Sequence, residues 1–533
     1  MEKTADRILI RGVNWIGDAV MTLPAIRAVR RAFPDARISL LVKPWVAEIF
    51  KGSPDIDEII LYDEQCKGVI GKLKLARVLR RKKFDKAFLL QNAFDAALTA
   101  WLAGIPERIG YKRDYRSLLL TKAISVKRNV AGEHQVYYYL NLLKEAGIKP
   151  VTAEPYIYLS DEEREHARAL LNLSPITPHP LPITPYPSPL IGINPGATYG
   201  SAKRWPAEHF AGLILRIINE LDGRAIIFGS PAEVEIADEI VKQLGTQNSE
   251  LKTHILNMTD RTNLRELAAL ISECDAFVTN DSGPMHIAAA LHVPTVALFG
   301  STDSAATGPF GDGHKIITKK LSCSPCLERE CPEGHLKCMT EISPEEVFSA
   351  IKDLLPKEKA IFLDKDGTLI EDMHYLNTFD KLRILPNVKA SLKRLKDAGF
   401  MLIGITNQSG IARGFIEEKF VKDSNAYLQK ELGIDDFYYC PHHPDERCSC
   451  RKPEALLMLK ARLKHRIDFK ASYVIGDKES DVMLGMRTGA KGILLAPVLY
   501  PENTSASYIA KGLDDAVNWI LESKSASSPS VIE

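Results

Sequence analysis

Ala360-Ile361-Phe362-Leu363-Asp364-Lys365-Asp366-Gly367-Thr368 is a short apolar run ending on two carboxylates one residue apart. Such a run, bounded by turn residues, reads as a buried strand. The Gly367-Thr368 turn then aims both carboxylates beyond the strand's end. Carboxylates so placed can reach one phosphoryl group. In that geometry one carboxylate can attack phosphorus, and its neighbour can give or take a proton at the oxygens involved.

Further apolar runs at 401–405, 473–475 and 492–495 read as strands of the same α/β domain. The first is followed by Thr406-Asn407-Gln408-Ser409, whose hydroxyls can donate to phosphoryl oxygens. Lys452, in Cys450-Arg451-Lys452-Pro453, is a cation that offsets phosphoryl charge. The run at 473–475 ends on Gly476-Asp477-Lys478-Glu479-Ser480-Asp481. These four groups, in this order, resemble the motifs of the haloacid-dehalogenase-like phosphatases. The resemblance implies Asp364 as nucleophile, Asp366 as acid and base, and Thr406 and Lys452 as catalytic partners. It also implies Mg²⁺ at Asp364, Asp366, Asp477 and Lys478, and substrate contacts from Asn407, Gln408 and Ser409.

Between these motifs lies Cys440-Pro441-His442-His443-Pro444-Asp445-Glu446-Arg447-Cys448-Ser449-Cys450. Three thiolates and an imidazole make a closed, structural zinc set. Cys440, His442, Cys448 and Cys450 are the expected ligands, with His443 as the alternative nitrogen and buried free thiols as the plainer reading. The loop resembles that of the D,D-heptose 1,7-bisphosphate 7-phosphatases and of the histidinol-phosphate phosphatases. On that resemblance Asp372 and Tyr375 belong to a substrate loop, and Arg451 recognises the distal part of the substrate. The short spacing from His442 to Cys448 keeps histidinol phosphate open as a substrate.

Upstream, residues 7–10 and 38–42 read as strands flanking a helix over 19–33, a βαβ unit of a parallel sheet. Runs at 190–193, 225–228, 276–279 and 295–299 repeat the alternation. Seven prolines between 174 and 189 exclude helix and central strand, so this stretch reads as a linker. The expected organisation is 1–172, a linker at 173–189, 190–356, 357–523, and a disordered Ser-rich tail at 524–533.

Arg11-Gly12-Val13-Asn14-Trp15-Ile16-Gly17-Asp18 joins the first strand to its helix. Asn194-Pro195-Gly196-Ala197-Thr198, with Lys203 nearby, is a small-residue turn suited to a diphosphate. Asn280-Asp281-Ser282-Gly283-Pro284-Met285-His286 follows another strand and opens a helix, where N–H groups can meet a phosphate. Together these resemble the heptosyltransferases of glycosyltransferase family 9. The implied fold is two facing Rossmann-like domains of a GT-B glycosyltransferase, followed by the Rossmann-like phosphatase domain.

The resemblance implies Asp18 as the base for the acceptor hydroxyl, although a carboxylate at a helix start also suits the helix dipole. It implies Thr198 and Lys203 on the donor diphosphate and Glu233 on its nucleoside. Ser282 and Gly283 would offer N–H groups to a phosphate, and Asp281 and His286 would face the sugar; a packed helix residue is the plainer reading of His286. Transfer would invert the anomeric carbon without a cofactor. Cys323, Cys326, Cys331 and Cys338 have a zinc-like first interval and irregular later ones, leaving zinc ligands and free thiols as alternatives.

A net charge of +1 gives no bulk attraction to nucleic acid. No apolar run reaches the ~18 residues of a membrane span. Arg7, Arg11, Asn14 and Asp18 interrupt any signal-peptide core, so the expected location is the cytoplasm. Arg77, Arg80, Arg81, Lys82, Lys83, Lys112, Arg113 and Arg116 read either as solvated faces or as an attraction to anionic lipid at the inner membrane. The expected partners are ADP-heptose, a lipid-anchored lipopolysaccharide core acceptor and a heptose bisphosphate. Three rivals remain: histidinol phosphate as the phosphatase substrate, another nucleotide sugar as the transferase donor, and an N-terminal half that only binds lipopolysaccharide.

Overall fold

Continuous apolar runs form central strands because parallel sheets are covered on both faces. A computed structural model describes residues 6–126, 132–150, 152–173, 188–245, 253–496 and 504–525. The chain divides into two compact units, Met1–Leu355 and Pro356–Glu533.

The first unit holds two parallel sheets. One contains β1 (Arg7–Arg11), β2 (Arg37–Val42), β3 (Glu58–Leu61), β4 (Lys86–Leu89), β5 (Glu107–Tyr111) and β6 (Lys122–Ile124), in the order 3-2-1-4-5-6. The other contains β7 (Leu190–Asn194), β8 (Arg224–Ile227), β9 (Ile255–Asn257), β10 (Ala276–Asn280), β11 (Thr295–Phe299) and β12 (Lys315–Thr318), in the order 12-11-10-7-8-9. Read from its other edge, that is the same pattern. The second unit repeats it with β13 (Ala360–Leu363), β14 (Met401–Asn407), β15 (Asp436–Cys440), β16 (Tyr473–Gly476), β17 (Lys491–Leu495) and β18 (Tyr508–Ala510), in the order 15-14-13-16-17-18.

In such sheets ligands bind beyond the carboxyl ends of the strands, where the order reverses. The three reversals fall at β1/β4, β7/β10 and β13/β16. Every strand of β7, β10, β11 and β13 is buried along its whole length. The two halves of the first unit share one apolar cluster, in which Ile8, Ile10 and Ile38 join Phe228, Phe277 and Ile287.

Two expectations need correction. The single helix over 19–33 is two helices, Ile16–Met21 and Leu23–Ala32, because Pro24 has no N–H with which to continue the first ladder. The last helix, Leu513–Ser525, includes 524 and 525, which were assigned to the tail. The rest of that tail, and the linker from 174 to 187, lie outside the described residues.

Candidate active sites

In the second unit, β13 delivers Asp364 and Asp366, and β16 delivers Asp477 beside them. Gly367 lies at φ +88, and a Cβ there would stand 2.5 Å from Asp477 Oδ2. Only glycine allows both the backbone turn and the close approach. Lys452 is buried, pairs with Asp364, and stands 2.6 Å from Asp481 Oδ1. Its ammonium also donates to the Ile405 carbonyl at 3.0 Å. Burial alone would discharge this ammonium, but the Asp364 and Asp481 carboxylates outweigh it and hold Lys452 well above its usual range. Burial pushes the Asp481 carboxyl up to about 6, against the pull of Lys452.

Asp366 is oriented separately. Gln408 Nε2 donates to its Oδ2 at 2.8 Å, and the Thr406 hydroxyl at 3.4 Å. Burial, with Asp364 adjacent, raises the Asp366 carboxyl, the direction a proton donor needs. Asn407 brackets the Lys452 backbone: its Oδ1 accepts from the Lys452 N–H at 3.1 Å and its Nδ2 donates to the Lys452 carbonyl at 3.4 Å. Ser409 is half-buried at the same strand end. Asp372 stands 3.6 Å from Lys478 Nζ, Tyr375 packs edge-on to Phe415, and a buried Nη1 of Arg451 has no hydrogen-bond partner.

Carboxylate oxygens of Asp364, Asp477 and Asp481 all lie within 4.8 Å of one another. Asp477 Oδ1 is buried without a hydrogen-bond partner. An acceptor left bare inside a carboxylate cluster is costly unless a cation is shared, and an all-oxygen set suits Mg²⁺. Two expected ligands stay outside this cluster. The Asp366 carboxylate faces Gln408 and Thr406, and a Lys478 ammonium cannot ligate a cation.

The Cys440 loop closes into a donor set. Sulfur separations among Cys440, Cys448 and Cys450 run from 3.3 to 3.5 Å, and His442 Nδ1 is 3.1 Å from Cys450 Sγ. A tetrahedral zinc with bonds of about 2.3 Å spaces its sulfurs by nearly this much. Of the two histidines, His442 lies in this donor set. His443 Nδ1 instead accepts from the Asp445 N–H at 3.3 Å and caps a short turn.

In the first unit, helix Ile16–Met21 starts against helix Gly283–Ala290. A Cβ on Gly17 would lie 2.7 Å from His286 Cδ2, and one on Gly283 3.0 Å from Ile16 Cβ. These two glycines let the helix starts of opposite halves meet, which brings Asp18 towards the 281–286 segment. Asp18 accepts from the Tyr139 hydroxyl at 3.2 Å. Burial raises its carboxyl, and that hydrogen bond opposes the rise. His286 is buried, and burial pushes its imidazole down to about 4, so it is neutral near pH 7.

Lys203 pairs with Asp281, and the Thr302 hydroxyl donates to Asp281 Oδ2 at 2.6 Å. Ser282 Oγ lies 3.2 Å from Asn194 Nδ2. Thr198 is exposed at the mouth of the turn. Glu233 Oε2 is engaged within its own loop, accepting from the Ser230 N–H at 2.7 Å and its hydroxyl at 2.9 Å.

Residues 72–337 match the model of glycosyltransferase family 9 (heptosyltransferase), and residues 449–503 match a HAD-hydrolase-like model. The chain is 30% identical to lipopolysaccharide heptosyltransferase 2 of Escherichia coli, over 66% of this chain and 100% of that protein. The solved structure of the E. coli ADP-heptose heptosyltransferase II is similar with a TM-score of 0.55 and 30% identity, over 65% of this chain and 98% of that one. The second unit is similar to the D-glycero-beta-D-manno-heptose-1,7-bisphosphate 7-phosphatase of Helicobacter pylori, 38% identical over 31% of this chain and 99% of that protein. The chain belongs to glycosyltransferase family 9, with a HAD-like phosphatase fused behind it.

Within the family 9 unit, sequence reasoning overlooked Tyr139, Thr302 and His134. His134 Nε2 stands 2.8 Å from the Gly308 carbonyl, and its ring packs edge-on to Phe310. Thr302 follows β11 in Gly300-Ser301-Thr302, a small polar turn at a strand end, and that signal was available. Tyr139 and His134 gave none, since only tertiary packing brings them to the cleft. In the HAD-like unit, Asp481 was missed as a member of the carboxylate cluster.

The basic surface of the family 9 unit also changes. Arg116 is fully buried, donating to the Tyr111 carbonyl at 2.9 Å and to Asn92 Oδ1 at 3.0 Å, so it is structural. Lys82 pairs with Glu58. Arg77, Arg81, Lys83, Lys112 and Arg113 remain exposed.

Proposed function

We propose that the chain is a bifunctional enzyme. It transfers heptose from ADP-L-glycero-D-manno-heptose to the lipopolysaccharide inner core, and it hydrolyses the 7-phosphate of D-glycero-D-manno-heptose 1,7-bisphosphate. One observation carries this reading: each unit matches, over nearly its relative's whole length, a protein named for a heptose step. The short His442–Cys448 spacing is the one feature that favours histidinol phosphate instead.

In the phosphatase, Asp364 attacks phosphorus and the sugar oxygen leaves with a proton from Asp366. Asp366 then takes a proton from water, which attacks the aspartyl-phosphate and releases phosphate. Lys452 and the Thr406 hydroxyl offset charge on the phosphoryl oxygens. Gln408 aims Asp366, Asn407 fixes the Lys452 backbone, and Arg451 reaches the far end of the substrate, with Asp372, Tyr375 and Ser409 lining its approach. Asp364, Asp477 and Asp481 would hold Mg²⁺, which supplies further neutralisation of phosphoryl charge; any share of Asp366 and Lys478 falls to their backbone carbonyls. Zinc at Cys440, His442, Cys448 and Cys450 would brace the loop that presents Arg451 and Lys452.

In the transferase, Asp18 removes the acceptor's proton and the freed oxygen attacks the anomeric carbon from the face opposite ADP. Lys203, pre-placed by Asp281 and Thr302, offsets charge on the departing diphosphate, beside Thr198 and the Ser282 and Gly283 amides. His286 faces the sugar as a neutral group, and Glu233 lies towards the nucleoside.

Asp18→Ala is expected to abolish heptose transfer and leave phosphate release intact, and Asp364→Asn to do the reverse. Transfer near the wild-type rate in Asp18→Ala would remove the base assignment, and a wild-type chain that transfers no heptose would favour the binding-module reading.

Contact with the inner membrane would suit a lipid-anchored acceptor. Helix Gly68–Arg81 exposes Val69 and Ile70 beside Lys74, Arg77 and Arg81, and Leu118 is 95% exposed near Lys112 and Arg113. Apolar side chains flanked by cations suit an anionic interface. Among the described residues no helix is long and apolar enough to cross a membrane. The chain should co-sediment with anionic vesicles and release at high salt; equal binding to neutral vesicles would count against this face.

A further inference from the structure

β1, β2 and β3 are neighbours in the first sheet, and the segments leaving their carboxyl ends carry Asn14-Trp15, Lys43-Pro44-Trp45 and Tyr62. The segment after β1 leads directly into Asp18. Trp15 is 64% exposed and Trp45 53%. Large rings left in water beside a cleft mark a ligand face more often than chance exposure. Trp45 is nonetheless held, because its Nε1–H donates to the Asn14 carbonyl at 2.8 Å. A ring tied by its polar tip, with its apolar body in water, is an amphipathic platform. Lys43 stands beside it: its ammonium is 5.3 Å from the centroid of the Trp45 ring and 4.5 Å from that of Tyr62. Among the described residues no carboxylate pairs with Lys43. The Tyr62 hydroxyl donates to Asp95 Oδ2 at 2.8 Å, and the Asp95 charge is answered by Lys72 at 2.5 Å. Asn14 Oδ1 is buried with no hydrogen-bond partner, and a bare buried acceptor is costly.

We propose that Asn14, Lys43 and Trp45 form a subsite for an anionic saccharide, the part of the acceptor next to the hydroxyl that Asp18 deprotonates. Ligand sites join aromatic surface to a few placed polar groups, and these three residues supply a platform, an acceptor and a cation.

Each group meets a different part of such a ligand. The Trp45 ring stacks on the apolar face of a sugar ring. A sugar hydroxyl donates to Asn14 Oδ1 and satisfies it. Lys43 pairs with a carboxylate or phosphate carried by the same saccharide. The Trp45 hydrogen bond to Asn14 fixes the platform to the loop that carries the base, so the stacked sugar and the reacting hydroxyl keep one geometry. That last role rests on the transferase reading; the binding of an anionic saccharide does not.

The test is steady-state transfer by the full-length chain from ADP-heptose to a deacylated lipopolysaccharide inner-core saccharide. The acceptor Michaelis constant should rise on the order of tenfold in Trp45→Ala and severalfold in Lys43→Ala. Lys43→Arg should restore most of the loss, and the donor constant and phosphate release should not move. Added salt should raise the acceptor constant of the wild-type chain and leave that of Lys43→Ala flat. An unchanged acceptor constant in both alanine variants, or an equal rise in the donor constant, overturns the subsite. So does a Lys43→Ala effect seen only with vesicle-borne acceptor, because the cation then serves lipid headgroups. A Lys43→Ala effect that survives enzymatic dephosphorylation of the saccharide assigns the anion to a carboxylate, and one that disappears assigns it to a phosphate. Binding is read separately from transfer: the saccharide should shift the tryptophan emission of the wild-type chain, and Trp45→Phe should lose most of that shift. A wild-type chain that shows the shift and transfers no heptose loses the transferase reading and keeps the subsite. A full shift in Trp45→Phe overturns the subsite.

Discussion

Asp18, the proposed base of the transferase, is a group tuned by Tyr139. Burial raises the Asp18 carboxyl and the Tyr139 hydroxyl, 3.2 Å away, pulls it back. A base works only when deprotonated, so a higher carboxyl pKa removes activity from the acid side. Tyr139→Phe should therefore move the acid limb of kcat/KM for transfer to higher pH, with phosphate release unaffected; an unmoved limb would contradict the assignment. At this scale the sequence was most informative where candidate catalytic groups sit close together along the chain. Asp364, Asp366 and Asp477 each follow an apolar run, so the strand that aims them could be read with them. Asp481 needed a helical turn to return it to the cluster, and Tyr139 came from an element more than a hundred residues from Asp18. Lys452 shows the energetic stake: a charge buried between carboxylates is tolerable only while paired.

β7, β10, β11 and β13 were legible because burial on both faces leaves no polar alternation; interior β4 and β5, which open on Lys86 and Glu107, were not read. Neither were the edge strands. β12 alternates half-buried and exposed residues, and β9 has three residues, all half-buried. Such segments are short and mixed, and their pairing is set by the neighbouring strand more than by their own pattern. The helix starts at Gly17 and Gly283 show what an element contributes to the site. A methyl group at Gly17 would press on His286 at 2.7 Å. Gly17→Ala should cost about 1–3 kcal/mol by overpacking and slow transfer on the order of 10²-fold by displacing the cleft's two sides. Steady-state transfer rates beside thermal unfolding of the first unit would check this. Wild-type transfer would mean that the close approach is incidental.

For the whole molecule, one strand order occurs three times, and candidate site residues lie at each reversal point. Fold therefore does not separate the two chemistries; the residues at the strand ends do. The transferase cleft needs both of its sheets, because Asp18 comes from one and Asp281 and His286 from the other. The phosphatase site is complete within the second unit. The two activities concern one sugar, yet a phosphatase acting on a bisphosphate and a transferase consuming a nucleotide sugar are separate steps, so the fusion does not require direct hand-over of product.

The most direct test of the heptose assignment is phosphate release from D-glycero-D-manno-heptose 1,7-bisphosphate beside histidinol phosphate, with Mg²⁺, at matched concentrations. A strong preference for the heptose bisphosphate is predicted. A preference for histidinol phosphate would contradict the shared-pathway account and leave the transferase to rest on its own cleft.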